Sequence, residues 1–65
     1  MKLKELIRHL EQRNCLFYRE GGSHTVYKNV RSGKLTAIPR HREIKDKLVK
    51  KICEDLGIDT PNSNK

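Results

Sequence analysis

Gly21-Gly22-Ser23-His24-Thr25-Val26-Tyr27 is the stretch from which the fold of this chain can be worked out. The double glycine lets the backbone turn tightly, because a residue without Cβ adopts a positive φ at little cost. The three residues Thr25, Val26 and Tyr27 all favour strands. The turn and the run after it therefore predict the second half of a β-hairpin.

Strands are predicted on both sides of this turn and once more beyond it. Residues 15–19 (Cys-Leu-Phe-Tyr-Arg) lead into the glycines, and residues 23–28 leave them. A second turn, marked by Asn29 and Ser32-Gly33, leads to a third strand over residues 34–38. Pro39 closes that strand, because proline has no N–H to donate to a neighbouring strand. Three strands joined by short turns predict an antiparallel meander.

An amphipathic helix is predicted at each end of the chain. In residues 2–13 the apolar side chains recur at helical spacing: Leu3, Leu6, Ile7 and Leu10. Asn14 follows, and asparagine tolerates the left-handed conformation that often ends a helix. After a basic connector over residues 40–45, a second apolar face is predicted: Leu48, Val49, Ile52, Cys53 and Leu56. Gly57 stands where a helix-ending glycine belongs, with Ile58 folding back onto Cys53.

The predicted fold is α+β with the element order α-β-β-β-α. Two amphipathic helices and a three-stranded antiparallel sheet bury their apolar surfaces best when both helices cover one face of the sheet. Double-stranded RNA-binding domains have the same order, so a double-stranded-RNA-binding-domain-like fold is expected. Residues 1–58 are predicted to form one domain, followed by a frayed polar tail over residues 59–65.

The orientation of the second strand has two interpretations. His24 and Val26 share one face of a strand, and Thr25 and Tyr27 share the other. If Tyr27 packs under the helices, His24 points outward; if Val26 does, His24 is buried. We expect the outward histidine.

Composition favours a polyanionic partner. The 65 residues include 15 Lys and Arg against 8 Asp and Glu, a formal net charge of +7. Nucleic acid is the leading candidate partner and an acidic protein the second. No apolar run approaches the ~20 residues of a membrane span, and the N-terminus lacks the apolar core of a signal peptide. A soluble, cytoplasmic protein is therefore expected, with Cys15 and Cys53 reduced and buried.

No acidic residue occurs between Glu20 and Glu43, an interval that is rich in Lys, Arg and His. A charge run is most often a solvated face, but binding to a phosphate backbone explains why the acidic residues stand outside the interval. We expect its charges to share one region. The candidate RNA-binding residues are Arg19, Ser23, Lys28, Arg31, Lys34, Arg40, His41 and Arg42.

His24 has three interpretations: a surface residue, an RNA contact or a general acid/base. Histidine exchanges protons near neutral pH. Cleavage of RNA needs few groups besides one that exchanges protons, because the 2′-hydroxyl of the RNA is a nucleophile tethered to the scissile phosphate. A proton-transfer group and nearby cations suffice for a modest, metal-independent ribonuclease.

Other chemistries fit the residues less well. The histidines and cysteines lack the spacing of a tetrahedral zinc site, so no metal is expected. Neither cysteine is expected to be exposed as a nucleophile must be. No phosphate-binding glycine-rich loop leads into a helix, and Glu20 and Glu43 are isolated carboxylates. No cofactor is predicted.

From Leu3 to Ile58 the chain resembles the HicA-type toxins of bacterial toxin–antitoxin systems. The most specific element is Gly22-Ser23-His24 with Tyr27 in the same strand. Ile38-Pro39-Arg40-His41 is similar to the strand-Pro-x-His segment of that family. The third similar segment begins at Glu43-Ile44-Lys45 and runs through Val49 and Ile52 to Leu56-Gly57-Ile58.

The resemblance implies an mRNA interferase, an endoribonuclease that cleaves mRNA and so inhibits translation and growth. The family's catalytic histidine falls on His24, with His41 as a candidate auxiliary. The implied partner is a HicB-type antitoxin that covers the active face. Two alternatives stay open: a non-catalytic RNA-binding module that uses the same basic face, and an interaction protein whose charge serves only an acidic partner.

Overall fold

The computed structural model of the chain describes residues 1–61, so residues 62–65 of the predicted tail lie outside the described part. The elements are α1 (Leu3–Glu11), β1 (Cys15–Gly21), β2 (His24–Asn29), β3 (Leu35–Pro39) and α2 (Asp46–Leu56). The predicted α+β fold and its element order α-β-β-β-α are confirmed, with boundaries that differ from the predicted ones by one or two residues at most ends.

The three strands form one antiparallel sheet in the order β1-β2-β3. At one end of the sheet, His24 lies opposite both Gly21 of β1 and Pro39 of β3. At the other end, Lys28 lies opposite Leu16 and Leu35. His24 therefore occupies the start of the central strand, beside a tight turn and beside the chain's exit toward α2.

The β1–β2 turn consists of two residues, Gly22 and Ser23, because Gly21 and His24 are paired. Gly22 has a φ of +57°, whereas Ser23 is not in the left-handed region. These are the φ signs of a type II′ turn, which places glycine first and matches the twist of the flanking strands. A hairpin turn is confirmed, one residue later than the predicted Gly21-Gly22, and His24 directly follows its second residue.

Both helices pack on one face of the sheet. The core joins Leu6 and Leu10 of α1 with Ile52 and Leu56 of α2, and Tyr27 and Ile38 belong to it as well. On the opposite, outer face of the sheet, large side chains stay exposed: Leu16, Tyr18 and Leu35.

The expected orientation of β2 is confirmed. Tyr27 is 8% exposed and lies in the core, while His24 is exposed on the outer face. Val26 shares the outer face with His24, yet it is only 9% exposed. The reason is its place in the central strand, where Arg19 of β1 and Ala37 of β3 flank it.

Both helix ends follow the predicted chemistry. Asn14, shortly after α1, has a φ of +66°. Gly57 has a φ of +74°. The Gly57 N–H donates to the Glu54 carbonyl at 3.1 Å, and the Ile58 N–H donates to the Cys53 carbonyl at 2.9 Å. This pair of bonds is a Schellman ending, and Ile58 packs against the core as expected.

The first residues of the chain are joined to the connector between β3 and α2. The Leu3 N–H donates to the Arg42 carbonyl at 2.8 Å, and the Ile44 N–H donates to the Met1 carbonyl at 2.7 Å. The Met1 ammonium donates to the Glu43 carboxylate, also at 2.8 Å. We call this paired segment the N-terminal clasp. It fixes the start of α1 against residues that follow β3.

Asp59, the first residue of the predicted polar tail, is held against α1. Its carboxylate accepts a 2.8 Å hydrogen bond from Arg13 Nε, and its backbone carbonyl accepts one of 2.8 Å from His9 Nε2. The Arg13 guanidinium lowers the pKa of Asp59 below its usual value. Asp59 is therefore anchored to α1, although the sequence predicts it to belong to the frayed tail.

Candidate functional site

The candidate site is built around His24 at one end of the sheet. The side chain is exposed, and its Nδ1 lies 3.4 Å from the Ser23 hydroxyl. Histidine has two ring nitrogens with distinct roles, and a partner at one influences which carries the proton. Ser23 lies beside Nδ1, and Nε2 is on the other side of the ring.

Two arginines lie at the same end of the sheet. Arg19 of β1 extends toward the C-terminal end of its own strand, and its Nη1 lies 3.4 Å from the Glu20 carbonyl. The same nitrogen is 3.4 Å from where a Cβ on Gly21 would stand, and Gly21 is the cross-strand neighbour of His24. Arg40 follows Pro39, the other neighbour of His24, and forms an ion pair with Glu20.

A basic groove lies next to Arg40, between the first turn of α1 and the β3–α2 connector. Its volume is about 870 Å³. Five of its eight lining residues are basic: Lys2, Lys4, Arg40, His41 and Arg42. The N-terminal clasp brings the two lysines there. Sequence reasoning missed them, because nothing in the spacing of residues 2 and 4 indicates that they meet residues 40–42.

Lys28 lies on the outer face of the sheet, away from this groove. Its Nζ is 5.4 Å from the centre of the Tyr18 ring, which is a cation–π distance. Lys28 is four residues along β2 from His24, about 13 Å at the usual rise of a strand. It shares the face of His24 without touching it.

Arg31 and Lys34 lie at the far end of the sheet from His24. They belong to the loop between β2 and β3, and antiparallel strands place that loop opposite the end where His24 and Pro39 pair. Lys34 instead extends toward Gly57, where its Nζ lies 3.2 Å from the position of a Cβ on the glycine. The expectation that all charges of the acid-free interval share one region is therefore wrong for Arg31 and Lys34.

The two cysteines are free and fully buried, as predicted. Burial raises the pKa of the Cys15 thiol, and it raises that of Cys53 to about 11. Such thiols carry almost no thiolate at neutral pH, and the thiolate is the nucleophilic form. The cysteines therefore belong to the core and not to the candidate site.

Within residues 1–61, no cluster of three or more His, Cys, Asp or Glu side chains is arranged to hold a metal ion. In the same described part of the chain, neither helix has the length and apolar character needed to cross a membrane.

Comparison with known protein families shows which family the chain belongs to. The family model described as the HicA toxin of bacterial toxin-antitoxin systems matches residues 3–58. The chain belongs to the HicA toxin family. No curated protein and no solved structure gave a match. The match runs from the start of α1 to the Schellman ending of α2, so the HicA region contains His24 and the residues that line the basic groove except Lys2.

Membership assigns this HicA-family protein the role of a toxin in a toxin–antitoxin system. It also implies an antitoxin as partner, because a toxin of such a system is paired with one. The resemblance carried by Gly22-Ser23-His24 and by the segment around Pro39 is thereby confirmed at the level of the family.

Proposed function

We propose that this HicA-family toxin is an endoribonuclease that cleaves mRNA, with His24 as its catalytic residue. The observation that carries the proposal is the position of His24. An exposed histidine stands behind a rigid two-residue turn, with Arg19 and Arg40 beside its two strand neighbours. A protonatable group and cations are what cleavage of RNA requires at one place.

In the proposed reaction the nucleophile is the 2′-hydroxyl group of the RNA itself. A base removes the proton from the 2′-hydroxyl, and the 2′-oxygen then forms a bond to the adjacent phosphorus. The bond between phosphorus and the 5′-oxygen breaks, and that oxygen takes up a proton. The products are a 2′,3′-cyclic phosphate and a 5′-hydroxyl end. In these reaction steps His24 acts as a proton-transfer group.

Cations near His24 stabilise the charge that develops on the phosphoryl oxygens. Arg19 is the stronger candidate, because a carboxylate already neutralises Arg40 in part. In the proposal, Ser23 orients His24, and His41 and Arg42 bind phosphates further along the strand. Lys28 binds RNA that crosses the outer face. Arg31 and Lys34 contact only an RNA that reaches the far end of the sheet.

The proposed partner is an antitoxin of the HicB type that covers the end of the sheet with His24. An acidic surface on that antitoxin would complement the net charge of +7. Such a complex blocks the site by occupying the surface that RNA needs, so coexpression of the antitoxin is expected to relieve growth arrest by the toxin.

Cleavage of a defined mRNA by the purified toxin in the presence of EDTA tests the proposal. Wild type is expected to release fragments with 2′,3′-cyclic phosphate ends. His24→Ala is expected to cleave at least about 100-fold more slowly, the usual contribution of a general acid or base. A substrate with 2′-O-methyl groups is expected to resist cleavage, because its nucleophile is blocked.

His41→Ala is the matched control, because it removes another exposed histidine of the same basic end. Since the proposal makes His41 a phosphate contact and not the proton-transfer group, we expect its loss to raise KM and to leave kcat close to that of wild type. Equal cleavage by wild type and His24→Ala would show that His24 is not catalytic. Salt-sensitive RNA binding with no fragments after long incubation would instead favour the non-catalytic RNA-binding module.

A further inference from the structure

The basic groove combines cations from two distant parts of the sequence. Lys2 and Lys4 come from the start of α1, and Arg42 comes from the connector after β3. All three side chains are exposed. Two carboxylates also line the groove, those of Glu5 and Glu43.

The N-terminal clasp makes this arrangement rigid. Lys2 pairs with Glu43 through a backbone bridge, and the Leu3 N–H donates to the Arg42 carbonyl. The lysines and the connector are thus held at a fixed separation before any ligand binds. Pre-arranged charges lose less entropy on binding than charges on free loops.

The clasp also offsets one of the two negative charges that line the groove. The Met1 ammonium forms a 2.8 Å ion pair with Glu43. The hydrogen bond from the ammonium lowers the pKa of Glu43. At neutral pH the carboxylate is ionised, and the ammonium charge offsets it. The negative charge of Glu5 is then outweighed by the positive charges of Lys2, Lys4 and Arg42. The net charge of the groove is therefore positive.

We propose that this groove binds backbone phosphates of single-stranded RNA next to the cleaved bond, through Lys2, Lys4 and Arg42. The proposal deepens the proposed function and rests on it. Pro39 is the strand neighbour of His24, and Arg42 is three residues further on, at most about 11 Å along the chain. An RNA strand with its scissile phosphate at His24 therefore reaches the groove within a few nucleotides.

Binding to a 2′-O-methylated RNA tests the groove without cleavage. The double variant Lys2→Ala/Lys4→Ala is compared with wild type over a range of salt concentrations, with any tag at the C-terminus because Met1 takes part in the clasp. Each lost phosphate contact lowers the slope of log Kobs against log[salt] by about 0.7 for a single strand. Loss of two contacts is expected to reduce the slope by about 1.4 and the affinity about tenfold at physiological salt.

Lys50→Ala/Lys51→Ala is the matched control. It removes the same charge from exposed positions of α2 that do not line the groove. We expect its slope to stay close to that of wild type. Circular dichroism of both double variants shows whether they keep the fold.

Cleavage assays separate this proposal from the proposed function. On unmodified mRNA the Lys2→Ala/Lys4→Ala variant is expected to show a KM raised about tenfold and an unchanged kcat, because the groove lies outside the reacting atoms. If wild type cleaves RNA but both double variants have the same salt slope and KM, the groove does not bind RNA. If the lysine effect is found and wild type cleaves no RNA, the groove is supported and the nuclease proposal fails. A loss of antitoxin affinity with RNA affinity intact would assign the groove to the protein partner.

Discussion

At the scale of single residues, Asn29 joins the loop between β2 and β3 to the end of α2, which is distant in sequence. Its side-chain Nδ2 donates a 2.8 Å hydrogen bond to the Leu56 carbonyl at the end of α2. Its Oδ1 accepts hydrogen bonds from the backbone N–H groups of Arg31 and Ser32. Asn29 is buried. One side chain thus satisfies the Leu56 carbonyl, which the two Schellman bonds do not involve, and orders the loop between β2 and β3.

Asn29→Ala is expected to lower the free energy of unfolding by about 2 kcal/mol. The reason is that the Leu56 carbonyl stays buried and loses its donor. Leaving a buried acceptor unsatisfied destabilises a protein by more than an average hydrogen bond stabilises it. Asn29→Asp is expected to cost more still, because a carboxylate oxygen would face that carbonyl. Urea unfolding followed by circular dichroism measures both values.

Gln12→Ala serves as the control for Asn29. It removes an exposed amide side chain just after α1 and is expected to change stability by less than about 0.5 kcal/mol. A cost for Asn29→Ala as small as that of Gln12→Ala would mean that the bond to Leu56 contributes little.

At the scale of elements, the end of α2 shows how sequence chemistry stops a helix. Gly57 takes the left-handed conformation, and the two Schellman hydrogen bonds return the chain to the core at Ile58. The chain can then continue to Asp59, which Arg13 and His9 hold against α1. The Schellman ending therefore stops α2 and also directs the chain to its contact with α1.

Gly57→Ala is expected to destabilise the fold by about 1 kcal/mol, because an L-residue in the left-handed conformation is strained. The added Cβ would also stand 3.2 Å from Lys34 Nζ, a flexible atom that can move aside. Gly57→Asn is expected to cost less, since asparagine tolerates this conformation. Thermal unfolding of both variants tests whether Gly57→Ala is less stable than Gly57→Asn. Equal stability of wild type and Gly57→Ala would contradict the strain argument.

At the scale of the whole molecule, one core holds both helices on one sheet face, and both cysteines lie inside it. Cys15 begins β1 and Cys53 lies in α2, and neither side chain reaches solvent. Burial raises the pKa of both thiols. Their reactivity therefore reports on the opening of the core.

We expect a maleimide to label Cys15 and Cys53 at neutral pH only as fast as the molecule unfolds. Adding urea should raise the labelling rate in parallel with the loss of circular dichroism. The control is Ser32→Cys, which places a third thiol in an exposed loop and should label at once in the folded protein. Labelling of Cys53 in native protein at the rate of the Ser32→Cys thiol would contradict the buried core.

Much of the candidate site follows from local patterns in the sequence. The hairpin turn and the strand after it depend on residues within a few positions of one another. A strand alternates its faces with a period of two, so Tyr27 in the core requires His24 on the other face. The order of elements likewise follows from hydrophobic spacing, which is a property of neighbouring residues.

The sequence by itself thus determined the elements, their order and the helix endings, because each depends on short-range geometry, and it left two orientations open for His24. Only the tertiary structure decided which distant residues meet. It placed Lys2 and Lys4 against Arg42, joined Asn29 to Leu56, and separated Arg31 and Lys34 from His24. The physical reason is that such meetings depend on how helices pack on the sheet and on which end each loop occupies, and no periodicity along the chain records that packing.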